Sequence, residues 1–186
     1  MINPFKEVSE FCDLTIEEKI KLPIAIVGAG GIVDGAHLPA YKKAGVTIVG
    51  IFDTDNAKAK DVAGRHGIPK VYTTLQELIS DPASKVVDIA VPAAAQPEIF
   101  LQVAAAKKHI LAQKPLATTV ATGQELAASA KSNGIVAAVN QQLRFEEGVA
   151  AAHKMVELGW IGTVSNFDSP AEARDALPPK PPATAI

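Results

Sequence analysis

Residues 24–37 read IAIVGAGGIVDGAH. The first five, IAIVG (24–28), form a β-branched apolar run too short for a buried helix, which predicts a buried strand. A glycine-rich turn follows, then a helical stretch to about Lys43, with Gly45 where a helix C-cap is expected. The turn, Gly28-Ala-Gly30-Gly31-Ile32-Val33, stands between strand and helix, the context in which a G-x-G-x-x-G/A pattern carries chemistry. Gly28 permits a sharp turn. Gly30 has no Cβ, so backbone can come close to a pyrophosphate. The helix start at Gly31 and Ile32 presents unpaired N–H groups and a partial positive charge. Gly28, Gly30, Gly31 and Ile32 are therefore candidate dinucleotide ligands. The third position of the pattern, which normally packs helix against strand, is Val33.

The same rhythm continues outward. VTIVGIFD (46–53) predicts a second strand, and 56–66 a helix closing at Gly67. A short strand at Val71-Tyr72 precedes a helix over 73–80. VVDIAVP (86–92), HILAQ (109–113) and IVAAVN (135–140) are further strands, alternating with helices over 97–108, 118–133 and 146–158. Six such alternations predict βαβ units with right-handed crossovers and a doubly wound parallel sheet, an α/β fold covered on both faces. This places one Rossmann-type domain over 23–168. TVSNFDS (163–169) could begin a seventh strand. Residues 169–186 hold five prolines and few large apolar groups, and read as an extended or disordered tail, or as the start of a further domain. Residues 1–22 read as an N-terminal arm. Phe5, Val8 and Phe11 recur at helical spacing between Pro4 and Pro23, and Thr15 with Glu18 has the form of a capping box. The arm docks on a partner or lies on its own domain.

Composition narrows the function. A hydrophobic fraction of 48% supports a real core, and 20% charged residues are too few for a disordered chain. A net charge of −2 and an aromatic content of 5% argue against nucleic-acid binding. Cys12 is the only cysteine, which excludes an intramolecular disulfide and fits a reducing compartment. No stretch has the form of a signal peptide or membrane span, and a cytoplasmic protein with no membrane partner is expected. The four histidines have no zinc spacing, so no metal is expected. His37, close to the turn, serves either the fold or the chemistry.

Asp53 ends the second strand, where a carboxylate can accept hydrogen bonds from both adenosine ribose hydroxyls and repel a 2′-phosphate. This points to NAD rather than NADP, although Lys58 and Lys60 follow on the next helix. A helix N-cap is the alternative role for Asp53. Lys114 ends the HILAQ strand. The carboxyl ends of strands line the ligand crevice in such folds, so its ammonium can hold a substrate oxygen during hydride transfer. The alternative is a solvated lysine at a strand end.

Four places, GAGGIVDGAHLPAY (28–41), Asp53, VPAAAQPEI (91–99) and QKPLATT (113–119), together with NQQLRF (140–145), resemble the glucose–fructose oxidoreductase/inositol dehydrogenase (Gfo/Idh/MocA) family. The resemblance implies a Rossmann half that binds NAD(P), with Pro92, Gln113 and Lys114 beside the cofactor and Lys114 catalytic. It also implies a second half that binds a sugar, polyol or related substrate and supplies a catalytic histidine from an Asp-x-x-x-His motif. On that resemblance the chain corresponds to the nucleotide-binding half. Two positions depart from the family pattern. Gln113 replaces the usual glutamate yet can still reach a nicotinamide ribose, and Gln96, where histidine is frequent, removes a contact near the cofactor. The expected function is thus hydride transfer to or from a hydroxyl or carbonyl substrate. The alternative is a non-catalytic dinucleotide-binding module used for sensing or partner binding. Oligomeric state is left open.

Overall fold

Ile24–Val27 form β1, and all four residues are buried. Side chains alternate across a strand, so a strand with no exposed position must be covered on both faces. The computed structural model, which describes residues 4–12, 16–18 and 21–163, shows this directly. Ala25 and Val27 join a core with Tyr72, Leu78, Ile89, Phe100 and Leu126. Ile24 and Ile26 join a second core, on the opposite face, with Val33, Leu38, Ile51, Ala59 and Val62.

Four more strands flank β1. They are β2 (Ile48–Phe52), β3 (Val86–Ile89), β4 (His109–Gln113) and β5 (Ala137–Asn140), in the order β2-β1-β3-β4-β5. Every pairing is parallel. The chain reverses its direction of travel across the sheet between β1 and β3, and ligands bind at such switch points. Helices α2 (Leu38–Ala44), α3 (Asn56–His66), α4 (Leu75–Ser80), α5 (Gln96–Ala105) and α6 (Val120–Asn133) connect or follow the strands. Expected boundaries hold to within a few residues.

Two differences stand out. The strand expected at Val71-Tyr72 is a single parallel bridge, Val71 to Ile51, beyond β2. The chain turns at once into the α4 cap: Thr74 Oγ1 accepts from the Glu77 N–H at 3.0 Å, and the Glu77 carboxylate accepts from the Thr73 N–H at 2.9 Å. Residues committed to a cap cannot extend a strand. The first crossover helix is also not uniform. Residues 33–37 wind as a π-helical turn before α2, a widening often met at functional sites.

Chain contacts divide the molecule into two units, Leu14–Leu143, with the sheet, and Met1–Asp13 together with Arg144–Ile186. The domain expected over 23–168 therefore spans parts of both. In the smaller unit α1 (Pro4–Cys12) packs on α7 (Glu147–Glu157). The Phe11 ring lies 5.9 Å from the His153 ring, and the Lys154 ammonium lies 5.5 Å from the Phe11 ring. Thr15 of the expected capping box, the seventh strand beyond Thr163 and the proline-rich tail fall outside the described residues.

Asp81, just past α4, is a hub of the larger unit. Its carboxylate accepts from the Ala83 N–H, Lys70 and Tyr72 at 2.9, 3.0 and 3.0 Å. These bonds, the Ala83 N–H first, hold its pKa at about 2, below the ordinary 3.8. A depressed carboxyl stabilises the fold above its ordinary pKa, and that contribution is lost as pH falls towards the folded-state value. Asp81→Asn is therefore expected to lower stability at neutral pH and to flatten its fall between about pH 4 and 2. Denaturant midpoints across that range test this, and an acid limb unchanged by the substitution would contradict it.

Candidate functional site

Gly28 ends β1 with φ of +107°, and its N–H donates to the Phe52 carbonyl at 2.7 Å. A Cβ there would stand 2.3 Å from the Ala90 carbonyl oxygen. Only glycine fits this crossing between the ends of β1 and β3. Gly30 is different, because a Cβ there would meet nothing within 4 Å. The space it leaves belongs to a cleft. The Gly30 carbonyl accepts from the Val33 and Asp34 N–H groups at 3.0 and 3.1 Å and so starts the helix. The N–H groups of Gly31 and Ile32 lie in that first turn, where no intrahelical acceptor exists. Val33 is fully buried in the second core, which answers how the third position of the pattern is filled.

Asp53 ties the two strand ends together. One carboxylate oxygen accepts from the Ala29 N–H at 2.7 Å, and the other accepts from the Asp55 N–H at 2.9 Å. It does not cap α3. That role belongs to Asp55, which accepts from the Lys58 N–H at 3.1 Å. Each Asp53 oxygen keeps lone-pair capacity for a further donor.

These groups surround a cleft of about 310 Å³ at the carboxyl ends of β1, β2 and β3. Gly28, Gly30, Phe52, Asp53, Thr54 and Lys58 line one side, with Ala90, Val91, Pro92, Ala95 and Ile99 on the other. Four expected site residues, Gly28, Gly30, Asp53 and Pro92, are thus brought together. Val91, Ala95 and Ile99 lie in the VPAAAQPEI stretch that carries the family resemblance, but of that stretch only Pro92 was named as a site residue. A dinucleotide fits this wall on three counts: the open face at Gly30, the helix N-terminus and the partly used carboxylate.

Gln113 and Lys114 do not line this cleft. They stand at the end of β4, the next strand along. The Gln113 Nε2 donates to His37 Nε2 at 3.3 Å, and its Oε1 accepts from the Lys114 N–H at 2.7 Å. Asn140, ending β5, also donates to His37 Nε2, at 3.2 Å. The other imidazole nitrogen, Nδ1, donates to Asp88 at 2.7 Å, and the Tyr41 hydroxyl donates to the same oxygen at 2.9 Å. The two amides share the one lone pair of Nε2 in this arrangement, while Nδ1 carries the hydrogen that faces Asp88. Burial, then the Asp88 charge, pushes the Tyr41 phenol well above its ordinary pKa. His37 and Asp88 are buried, so the network sits beneath the site rather than in it.

Lys114 is exposed, and its ammonium makes no hydrogen bond or ion pair with the described residues. Gln96 was expected only to remove a cofactor contact. Instead its side chain is fully buried and turned onto the loop after β4. No group of histidines, cysteines and carboxylates among the described residues could hold a metal ion, and no described helix is long and apolar enough to cross a membrane.

Known proteins share this fold. Residues 22–141 match the model of an oxidoreductase family with an NAD-binding Rossmann fold. The chain is 30% identical to the 1,5-anhydro-D-fructose reductase of Ensifer adhaerens over 74% of this chain and 41% of that one. It is 36% identical to the levoglucosan dehydrogenase of Pseudarthrobacter phenanthrenivorans, over 59% and 28% respectively. Among solved structures it superposes on an NAD-binding oxidoreductase from Klebsiella pneumoniae with a TM-score of 0.72 at 29% identity, over 76% of this chain and 40% of that one. The chain spans less than half the length of these curated relatives.

Proposed function

Since this chain belongs to the Gfo/Idh/MocA family of NAD-binding Rossmann oxidoreductases, we propose that it forms the nucleotide-binding half of an enzyme that moves hydride to or from a hydroxyl or carbonyl carbon of a sugar, a polyol or a related molecule. The cleft between Gly30 and Asp53 carries this proposal. Gly28, Gly30, Gly31 and Ile32 shape the pyrophosphate cradle, Asp53 takes the adenosine ribose, and Pro92 lines the path towards the nicotinamide. The reductase and dehydrogenase among the relatives, whose names carry an anhydro sugar and levoglucosan, support the substrate class.

A bound nicotinamide supplies the hydride acceptor or donor. The chain's own contribution at that end is Lys114. Its ammonium lies free at the end of β4, where it can contact the nicotinamide half of the cofactor, hold a substrate oxygen and stabilise the negative charge that develops there. Gln113 fixes the Lys114 N–H. A cytoplasmic setting is part of the proposal, supported by the lone Cys12 and by the cofactor.

NAD is expected to bind more tightly than NADP. Asp53 repels a 2′-phosphate, while Lys58 on the same cleft offers it a partial counterweight. The net preference is expected at about 1–3 kcal/mol. Calorimetric titration with both cofactors tests it, with Asp53→Asn as the control, since the amide oxygen can still accept from the Ala29 N–H. Asp53→Asn is expected to narrow the gap mainly by improving NADP. Equal binding of the two cofactors by the unaltered chain would refute the preference.

A further inference from the structure

The stretch Gln113–Leu116 leaves β4 and carries Lys114 at its exposed side. Its backbone carbonyls turn inwards. Gln96, in the first turn of α5, donates from Nε2 to the carbonyls of Gln113, Pro115 and Leu116 at 2.9, 3.0 and 2.8 Å. Three acceptors thus converge on one amide nitrogen. Its Oε1 is buried with no partner among the described residues. Pro115 has no N–H, so the loop has few bonds of its own with which to hold itself. From the other side, the Gln113 side chain is held by His37. The Lys114 ammonium itself makes no hydrogen bond or ion pair with the described residues.

We propose that Gln96 is a positioning residue for Lys114. It fixes the backbone immediately before Lys114 and immediately after it, and so sets where the ammonium stands relative to the nicotinamide half of the cofactor. The inference rests on the dinucleotide lying across the strand ends as described above. An apolar side chain of this size would fill the same space but would leave the three loop carbonyls without the donor that Gln96 supplies, at the cost of a single unpaired oxygen on Gln96 itself. Retaining an orphan oxygen is explicable by what the nitrogen does. A neutral amide also suits the position by charge. A carboxylate would face three carbonyl oxygens, and an imidazole would bring a single N–H to the same side.

The test uses residues 1–186 and two probes, ADP-ribose for the adenosine half and NADH for the whole cofactor. Titrations are made with the unaltered chain, Gln96→Leu, Gln96→His, Lys114→Ala and the double variant Gln96→Leu/Lys114→Ala. ADP-ribose affinity is expected to stay within about twofold throughout, since the cleft at Gly30 and Asp53 is untouched. NADH is expected to lose roughly tenfold in Gln96→Leu and similarly in Lys114→Ala, the size of one lost charge-assisted contact. The double variant should lose no more than either single one, because the two residues act through one contact. Gln96→His, which keeps one donor, should recover part of the loss. If Gln96→Leu does not fold, Gln96→His alone with its own double variant carries the comparison. Equal loss of ADP-ribose and NADH in the Gln96 variants would make the residue merely structural and overturn the proposal. Additive losses in the double variant would overturn it too, as would an unaltered chain that binds NADH no better than ADP-ribose. Failure of the unaltered chain to bind ADP-ribose at all would overturn the dinucleotide site itself, a different result from any of these.

Discussion

Alanine at Gly28 is expected to cost the folded state about 3–5 kcal/mol, enough to leave a small domain largely unfolded at physiological temperature. Two effects add. The backbone there has φ of +107°, which a Cβ disfavours, and the new methyl would lie 2.3 Å from the Ala90 carbonyl oxygen. Neither neighbour can give way cheaply. Gly28 donates to the Phe52 carbonyl on one side, and Ala90 donates to the Val27 carbonyl on the other, at 2.7 and 2.8 Å. A shift that relieved the overlap would loosen β1 from both of its partners. Denaturant unfolding of the purified variant measures the effect. A loss under about 1 kcal/mol would mean that the strand ends are more accommodating than this crossing requires.

Alanine at Gly30 is expected to do the opposite, sparing stability and removing dinucleotide binding. The added methyl meets nothing within 4 Å, and Gly30 lines the cleft. Stability should change by less than about 1 kcal/mol, with replacement of glycine at a helix start tending to help rather than harm. The methyl would occupy the space through which a pyrophosphate approaches the backbone. At least a hundredfold loss of NAD affinity is expected, about 2.7 kcal/mol. Calorimetry and thermal unfolding on the same preparation separate the two effects. A variant that binds NAD as before would show that the cofactor does not pass over Gly30. Set beside Gly28→Ala, this pair divides the turn into a residue the fold needs and a residue the ligand needs, two roles that look alike in the motif.

That division marks what could be read in the sequence. Strand positions were legible because β1 and β3 are buried on both faces, which leaves a continuous apolar run in IAIV and a run broken only by Asp88 in VVDI. The placement of Asp53 was legible because a turn–helix–strand unit fixes where the second strand must end. The bridge at Val71 was overread as a strand, since two β-favouring residues do not reveal that the next two are spent on a helix cap. The additional role of Asp53, holding the Ala29 N–H, left no local sign, because its partner is 24 residues away. Gln96 and His37 were harder still. Each makes its decisive contacts with strand ends distant in sequence, and nothing in a neighbouring residue announces a side chain that works by filling carbonyls or accepting from amides.

The bonds of His37 have a consequence for the order in which the molecule can be assembled. They join it to Asp88, Gln113 and Asn140, at sequence separations of 51, 76 and 103 residues. Loops of this size are slow to close, and their entropy is lost before the contacts repay it. A ribosome that has delivered the glycine turn and the first two strands has therefore delivered His37 but none of these three partners. The network under the ends of β4 and β5 is therefore completed last during synthesis, and any nascent fragment ending before Asn140 leaves His37 Nε2 without one of its two amide partners.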